Sequence, residues 1–373
     1  MAEAATQRHP NVAPHRFLFA PGPTNVDPRV YGAMIQPVVG IRDPFFFQCM
    51  ADVQAGLRSV FGTKNEKTFV LTGTGSSGME AAIANFVKPG TKFAVFANGF
   101  FADRQAEMAR RHGAEVIRFD KEWGEVFDAD EAEKLIREHR PEIVAFVHAE
   151  TSTGAVQSPL AIAKTAREIG AFVIADCVTS LGAMPVELDT NGVDIAYSCS
   201  QKGLSCPAGL SPVTVSPRAW QWLESRTALD TWALDLKMID AWFGPNHVYH
   251  HTPSATLYYA LREGLAVIEE EGLSNRWERH RRAHHRLLAG LTKLGFEPVV
   301  RQPENRIWHL LNVYPPKGVD EAQLRAHLFD RYNIDVAGGI GKLAGKILRI
   351  GIMGPLATDE RADALLEAIS SSI

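Results

Sequence analysis

The stretch YSCSQKGLSCPAG, residues 197–209, holds a single lysine, Lys202, among small residues. It continues the apolar-leaning run Val193–Tyr197, and no other charged residue lies between Asp194 and Arg218. Lysines usually keep their charge in water. Small neighbours leave room for an aldehyde to approach, and surroundings that lower the pKa of the amine would make it a neutral nucleophile. The stretch therefore favours a Schiff-base lysine at position 202, with an ordinary loop lysine as the alternative.

On both sides of this stretch, short apolar segments alternate with helical ones. Strands are predicted at residues 68–71, 92–97, 115–119, 143–148, 172–175, 195–198 and 211–215, and helices at 48–61, 78–87, 102–112, 128–139 and 160–169. Continuous apolar strands that alternate with helices indicate an α/β fold with a mostly parallel sheet covered on both faces. Ligands of such sheets bind beyond the carboxyl ends of the strands.

The C-terminal part has a different pattern. An irregular stretch at 220–253 is followed by helices at 255–271 and 274–294, and then by a smaller α+β unit. That unit has predicted strands near 296–300, 309–313 and 347–350 and helices at 320–330 and 358–373. The expected organisation is an N-terminal arm (1–21), a large domain (22–272) and a small C-terminal domain (273–373).

Composition excludes some function classes. The chain is 46% apolar and 22% charged, and its net charge of −4 argues against a nucleic-acid or membrane surface as the main partner. The four cysteines have neither zinc-site nor disulfide-framework spacing, which suits a reducing compartment. Residues 1–15 contain no apolar signal core, and no apolar run reaches transmembrane length. We expect a cytoplasmic enzyme.

The string GTGSSG, residues 73–78, follows a predicted strand and opens a predicted helix. Backbone amides at a helix N-terminus together with hydroxyl groups form an anion cradle that suits phosphate. A dinucleotide site would need an acidic residue about 20 positions later, at the end of the next strand. That position is Asn98, which favours a single phosphate. A tight turn without a ligand and an NAD(P)-dependent dehydrogenase remain the alternatives.

Two charged residues stand inside apolar strands. Asp176 closes the strand AFVIAD, and a carboxylate there is costly unless it is paired. It could pair with a protonated pyridine nitrogen, or it could cap the next turn. Arg349, within KILRIG at 346–351, could hold a carboxylate in bidentate fashion or form an internal salt bridge.

Histidines invite a metal interpretation that the spacing does not favour. His250 and His251 are adjacent, so on one strand they would point to opposite faces. His280 and His284 have helical i, i+4 spacing but lie among arginines, and no glutamate is placed as in HExxH. We interpret this arginine-rich segment as a solvated helix face and predict no metal site.

Five motifs, in this order and spacing, carry a family resemblance. They are APGPT (20–24), ETSTG (150–154), SQK (200–202), YHHT (249–252) and KILRIG (346–351). Together they resemble the class V, fold-type I aminotransferases that use pyridoxal 5'-phosphate (PLP), in particular the alanine–glyoxylate and serine–glyoxylate/pyruvate group. The likeness runs from Phe19 to the last helix. It implies a PLP-dependent aminotransferase with ping-pong chemistry.

The resemblance also implies residue roles. The implied cofactor-binding residues are Thr74, Gly75, Ser76, Phe101, Thr151, Asp176, Val178, Gln201, Lys202, Tyr249 and Thr252. Lys202 would be the Schiff-base lysine and proton carrier, and Asp176 would hold the pyridinium nitrogen. Phe101 and Val178 would pack on the two faces of the ring, and Thr151 would lie near its hydroxyl.

Other implied roles concern the phosphate, the partner subunit and the substrate. The segment 74–76 and Gln201 would hold the phosphate. Tyr249 and Thr252 would reach the phosphate of a neighbouring subunit, which implies a homodimer with shared sites. The predicted substrate-binding residues are Arg349, for the α-carboxylate, with Gly22, Ile41 and Arg42.

One departure bears on the substrate. Many relatives carry His-Arg-Ser-Pro where this chain has GIRDP at 40–44. The ureidoglycine–glyoxylate branch resembles this chain in PVVG (37–40) and EWG (122–124), but carries amide side chains at the positions of Ile41 and Tyr249. A ureido group left without polar partners is penalised. We therefore expect alanine or serine as donor and glyoxylate or pyruvate as acceptor, with ureidoglycine as the alternative that Arg42 leaves open.

Overall fold

The structure, a computed structural model, describes residues 13–373. Most of the predicted arm, residues 1–12, lies outside the described residues. The strands are β1 (Phe17–Leu18), β2 (Lys67–Thr72), β3 (Lys92–Ala97), β4 (Glu115–Asp120), β5 (Ile143–Val147), β6 (Ala149–Glu150), β7 (Ala155–Val156), β8 (Phe172–Asp176), β9 (Ile195–Tyr197), β10 (Leu210–Val215), β11 (Glu297–Pro298), β12 (Leu310–Tyr314), β13 (Ile334–Asp335), β14 (Ala337–Gly338) and β15 (Leu348–Gly351).

The helices follow the same chain order. They are α1 (Pro28–Met34), α2 (Pro44–Phe61), α3 (Gly75–Phe86), α4 (Phe100–Arg111), α5 (Ala129–His139), α6 (Leu160–Glu168), α7 (Leu188–Asn191), α8 (Pro217–Glu224), α9 (Leu236–Phe243), α10 (Ala255–Glu271), α11 (Leu273–Lys293), α12 (Glu321–Tyr332) and α13 (Asp359–Ser370). Short 3₁₀ turns occur at Pro303–Asn305, Gly341–Leu343 and Gly354–Leu356. Of the helices in residues 13–373, none combines the length and apolar character that crossing a membrane requires.

A seven-stranded sheet organises the first two thirds of the chain. Its order is β2-β10-β9-β8-β5-β3-β4, and only β10 runs antiparallel to its neighbours. Alternate residues of β5 belong to different apolar clusters, with Val144 and Phe146 in one and Ile143 and Ala145 in the other. Helices therefore cover both faces, and the predicted mostly parallel, doubly covered sheet is confirmed.

A four-stranded antiparallel sheet, in the order β11-β12-β15-β14, lies in the C-terminal part. Helices α11, α12 and α13 pack around it over a separate apolar cluster that includes Leu287, Leu311 and Ile350. Strand β1 pairs in parallel with β13, so the start of the described chain joins this unit. The predicted smaller α+β unit is confirmed, while the boundary at residue 272 stays a prediction.

The prediction of an irregular stretch at 220–253 is wrong, because it contains the last part of α8 and all of α9. Capping side chains explain both helices: the Ser216 hydroxyl accepts the Ala219 N–H, and the Asp235 carboxylate accepts N–H groups of the first turn of α9. Helix α1 was not predicted either, although Asp27 caps it and Pro28 opens it.

Helix α11 corrects the interpretation of the arginine-rich segment. Arg281, Arg282 and Arg286 are exposed as expected, but Arg276, His280 and His284 are buried. They occupy positions 0, 4 and 8 of one helical stripe, which turns toward the protein interior. The number of charges in the segment concealed this stripe, so the description of the segment as a solvated face is wrong for Arg276, His280 and His284.

Candidate active site

A cavity of about 440 Å³ lies at the carboxyl edge of the large sheet. The strands that end there are β2, β3, β5, β8 and β9, so the loops that follow them converge on one volume. The cavity brings together most of the predicted site residues, namely Gly22, Thr74, Gly75, Ser76, Phe101, Thr151, Asp176, Val178, Gln201, Lys202 and Arg349.

Lys202 is buried, with 8% of its surface exposed. Its Nζ donates hydrogen bonds to the hydroxyl oxygens of Thr151 (2.9 Å) and Thr179 (3.0 Å), and these two hydroxyls also bond to each other. Burial lowers the pKa of the amine, and the neighbouring Cys199 and Asp176 oppose that shift. A lowered pKa increases the fraction of neutral, nucleophilic amine, as the small-residue surroundings predicted.

Gly22 supplies the space for this lysine. Its φ is +129°, and a Cβ on it would stand 2.8 Å from Lys202 Cγ. Both the left-handed backbone and the close approach therefore require glycine in the turn APGPT.

Asp176 is the last residue of β8 and is also buried. Its Oδ1 accepts the N–H of Val178 at 2.8 Å, and its Oδ2 accepts the hydroxyl of Tyr197 at 3.0 Å. Tyr197 is held in turn by the side-chain amide of Gln105, at 2.9 Å. Burial raises the pKa of Asp176, while its hydrogen bonds and the charge of Lys202 oppose the shift. The alternative prediction, that Asp176 caps the next turn, is therefore partly correct, because the carboxylate accepts one N–H of that turn.

The predicted anion cradle is the N-terminus of α3. Thr74 is its N-cap but makes no capping bond with its side chain. Within residues 13–373, no backbone or side-chain acceptor takes the N–H groups of Gly75 and Ser76. A Cβ on Gly75 would stand 2.8 Å from Val178 Cγ2, so the helix start packs directly on that side chain. Two free N–H groups at the positive end of a helix favour an anion.

Phe101 and Val178 line the same cavity, and the Phe101 ring centroid lies 5.6 Å from Lys202 Nζ. The start of α4 is fixed by Glu150, whose Oε2 accepts the N–H groups of Phe101 (3.1 Å) and Ala102 (3.3 Å). Glu150 is fully buried, and burial raises its pKa. No role was predicted for Glu150, which belongs to the motif ETSTG, although it is a carboxylate two residues after the predicted strand 143–148, and a carboxylate at the end of an apolar strand had marked Asp176.

Arg349 reaches the cavity from β15, in the smaller sheet. Its Nε donates to the carbonyl oxygen of Gly338 at 2.7 Å. In the described part of the chain, its two terminal nitrogens have no hydrogen-bond acceptor and no carboxylate within salt-bridge distance. The internal salt bridge considered as an alternative is therefore not formed among residues 13–373. Burial lowers the pKa of this guanidinium.

Four predicted site residues lie outside this cavity. Ile41 and Arg42 belong to the loop before α2, and Tyr249 is 51% exposed and hydrogen-bonds the Thr252 hydroxyl at 3.1 Å. The substrate-binding role of Ile41 and Arg42 and the role of Tyr249 and Thr252 at the phosphate of a second subunit stay predictions. Two cavity residues, Arg104 and Thr179, were missed because neither belongs to a motif.

Among residues 13–373, no group of three or more His, Cys, Asp or Glu side chains is arranged to hold a metal ion.

A buried amine and a buried carboxylate at this sheet edge, beside an anion cradle, are the arrangement of a fold-type I PLP-dependent enzyme. Comparison with known proteins identifies the family. The sequence model of the family described as aminotransferase class-V matches residues 42–352, and the chain belongs to this family. It is therefore a PLP-dependent transaminase, as the motifs predicted, and the dehydrogenase alternative is set aside.

Several relatives cover almost the whole chain. An alanine–glyoxylate aminotransferase from Rattus norvegicus is 36% identical over 364 residues, which are 96% of this chain and 88% of that protein. The crystal structure of an alanine–glyoxylate aminotransferase from Nostoc sp. is 43% identical, with a TM-score of 0.95 and coverage of 98% and 97% of the two chains. A ureidoglycine–glyoxylate aminotransferase from Bacillus subtilis is 34% identical, with a TM-score of 0.95 and coverage of 98% and 94%.

Proposed function

We propose that this aminotransferase moves the amino group of a small amino acid, alanine or serine, to glyoxylate or pyruvate. The observation that carries the proposal is the Arg349 guanidinium, whose two terminal nitrogens are free to bind a carboxylate in the cavity that also holds Lys202. Ala20, Gly22 and Ala337 line the same cavity, which favours a short substrate side chain. The alanine–glyoxylate relatives support the same substrate class.

The cavity residues fit PLP. The free N–H groups of Gly75 and Ser76 suit its phosphate, and Gln201 lines the same cavity, where its side-chain NH2 group could donate to that phosphate. When bound, PLP supplies an electron sink for the bonds of the substrate Cα. Phe101 and Val178 would hold its ring, and Thr151 would lie near its hydroxyl.

The charged residues would divide the chemistry between them. Lys202 would attach the cofactor and, once released, would carry the proton at the substrate Cα as a neutral amine. Asp176 would face the ring nitrogen and keep it protonated, since Val178 and Tyr197 hold the carboxylate in place. Arg349 would bind the carboxylate of the substrate and thereby fix the orientation of the substrate. A bond of the substrate Cα would then point toward Lys202.

The decisive experiment is a half-reaction with purified protein. Loaded with PLP, the wild type should absorb in the visible range and lose that band when alanine or serine is added. Lys202→Ala should retain its fold, lack that band and not transaminate; an unchanged, active Lys202→Ala would refute the proposal. A panel of alanine, serine, aspartate and ureidoglycine, each with glyoxylate, then identifies the donor.

Ureidoglycine is the second candidate donor, because the relative from Bacillus subtilis described above is named for it. Arg42 is an exposed cation that a ureido or acidic donor could use. A higher kcat/KM for ureidoglycine than for alanine would select this function.

We further propose that the enzyme is a cytoplasmic homodimer with shared sites and that its small domain starts at residue 273. Tyr249, which hydrogen-bonds Thr252, and Trp232, which stacks on His250, are large exposed side chains outside the cavity of their own chain, which supports contact with a partner. The four free, buried cysteines suit a reducing compartment. Mixing Lys202→Ala with Tyr249→Ala subunits after dissociation should restore activity that neither variant has alone; a monomer in sedimentation experiments would exclude the shared site.

A further inference from the structure

Arg104, in the second turn of α4, reaches the cavity next to the anion cradle. Its Nη1 donates to the Ser76 hydroxyl oxygen at 2.9 Å. The neighbouring arginines are neutralised: Arg110 and Arg111 pair with Glu107, and Arg118 pairs with Asp103 and Asp120. Arg104 has no carboxylate within salt-bridge distance in residues 13–373. A charged, cavity-lining group is thus left without a directly paired carboxylate, although its charge opposes the rise in the pKa of the buried Asp176.

Packing fixes the position of this guanidinium. Its Cζ lies 4.8 Å from the Phe101 ring centroid and 5.6 Å from that of Phe100. A planar cation held against aromatic rings loses little further freedom when it binds an anion. The side chain is therefore preorganised at the cavity edge rather than extended into solvent.

The contact with Ser76 has a consequence for the hydroxyl proton. Because Ser76 Oγ accepts a hydrogen bond from Arg104, its O–H is free to donate to another acceptor. Ser76 belongs to the first turn of α3, whose N–H groups at Gly75 and Ser76 also lack acceptors. Guanidinium, hydroxyl and two amides together offer one anion several donors, which matches a phosphate group better than a carboxylate.

We propose that Arg104 is a further binding residue for the cofactor phosphate, acting through its own free nitrogens and through the orientation of the Ser76 hydroxyl. The inference rests on the proposed function, because it requires PLP in this cavity. A purely structural Arg104 would instead act by holding Phe101, and would then affect any ligand that stacks on that ring.

The experiment compares PLP with pyridoxal, which has the same ring and aldehyde but no phosphate. Both are titrated into full-length protein freed of cofactor, with visible absorbance and tryptophan fluorescence as readouts. Arg104→Gln should weaken PLP binding by about 10- to 100-fold and change pyridoxal binding less than about twofold. Arg104→Lys should recover part of the loss, since it keeps a point charge.

Arg111→Gln on the same helix is the matched control, and its affinity for PLP should stay that of the wild type. Unliganded variants are compared by thermal unfolding, and Arg104→Lys serves if Arg104→Gln does not fold. Equal losses for PLP and pyridoxal, or no loss for either, would overturn the proposal. If the wild type itself bound no PLP, the proposed function would fail first, and this inference with it.

Discussion

Two arginines of the molecule, the buried Arg276 and the half-buried Arg349, differ in how far their hydrogen bonds are satisfied. Arg276, on α11, donates to the carbonyl oxygens of Gly182 (2.9 Å) and Gly203 (2.9 Å) and pairs with Glu271 at 2.9 Å. Arg349 donates from Nε alone, to Gly338. Buried polar groups are normally fully bonded, so the complete set marks a structural role and the incomplete set marks a binding site.

The buried histidine His280 and the cavity residues around Gln201 also differ in how many of their hydrogen-bonding atoms have partners. Both ring nitrogens of His280 are engaged, Nδ1 with the Arg276 carbonyl and Nε2 with the Gly354 N–H. In the cavity, by contrast, Gln201 and the first amides of α3 have donors or acceptors left over. Among the buried histidines, however, Nδ1 of His284 and Nδ1 of His309 also lack a partner in the described residues, so an unsatisfied atom indicates a ligand site only where it faces a cavity.

Arg276→Ala should have the largest effect on stability. The substitution leaves the buried carbonyl groups of Gly182 and Gly203 without their donor, while Glu271 keeps its ion pair with Arg279. Each buried acceptor left unsatisfied costs about 1–3 kcal/mol, so we expect a loss of about 3 kcal/mol. Urea unfolding of the unliganded protein measures the loss. Arg281→Ala, on the exposed face of the same helix, is the control and should change stability by less than about 0.5 kcal/mol. A loss below about 1 kcal/mol for Arg276→Ala would break the comparison.

Arg349→Ala should show the opposite profile. Only one protein hydrogen bond is lost, so we expect unfolding to shift by about 1 kcal/mol. A bidentate pair with the substrate carboxylate is lost as well, which should lower kcat/KM for the amino donor by about 100-fold or more. Arg349→Lys should recover only a small part, because lysine lacks the planar fork. Stopped-flow half-reactions with alanine test this, and unchanged kinetics would remove the assigned role.

Acid should destabilise the protein through its buried histidines His148, His284 and His309. Burial lowers the pKa of His148 to about 4 and those of His284 and His309 to about 3. The unfolded state then binds protons below pH 6.5 while the folded state stays neutral, so stability is complete above that pH and is lost as the pH falls toward the folded pKa values. Each histidine should cost about 2 kcal/mol between pH 7.5 and pH 5.

Replacing one of these histidines isolates its contribution. His284→Leu should reduce the difference in unfolding free energy between pH 7.5 and pH 5 by about 2 kcal/mol. His327→Gln, at an exposed position of α12, should leave that difference unchanged. A pH dependence identical in wild type and His284→Leu would contradict the burial of a neutral imidazole there.

Local patterns predicted much of this architecture. Strand β3 and helix α10 have the bounds that periodicity gave them, at residues 92–97 and 255–271, because each presents a long apolar stripe or run. Helices α1, α8 and α9 were missed because they are short, with seven or eight residues each, and their local signals were a capping side chain and, in α1 and α8, a proline at the first position. An apolar periodicity that lasts only two helical turns is a weak signal when the neighbouring segments are irregular.

The site divides in the same way. Lys202 and Asp176 were found from their own surroundings, since each is a charge next to an apolar strand. Arg104 and Thr179 carry no such local signal, because they matter through contacts with Ser76 and Lys202, which lie far away in sequence. His280 and His284 were misinterpreted for the related reason that only packing decides which stripe of α11 faces inward.

Thr179→Val is expected to have the smallest effect of these substitutions. It tests whether one hydrogen bond in the cavity changes the pKa of Lys202. Lys202 Nζ donates to Thr179 and Thr151, so removal of one hydroxyl leaves the amine a single acceptor. A hydroxyl that accepts from the charged amine favours the protonated form, and its loss should lower the pKa of Lys202 further. The acid limb of the kcat–pH profile should then move to lower pH, with kcat changed only about two- to fivefold. Thr179→Ser keeps the acceptor and should keep the wild-type profile, whereas a profile unmoved in Thr179→Val would mean that Thr151 alone sets the proton affinity of the amine.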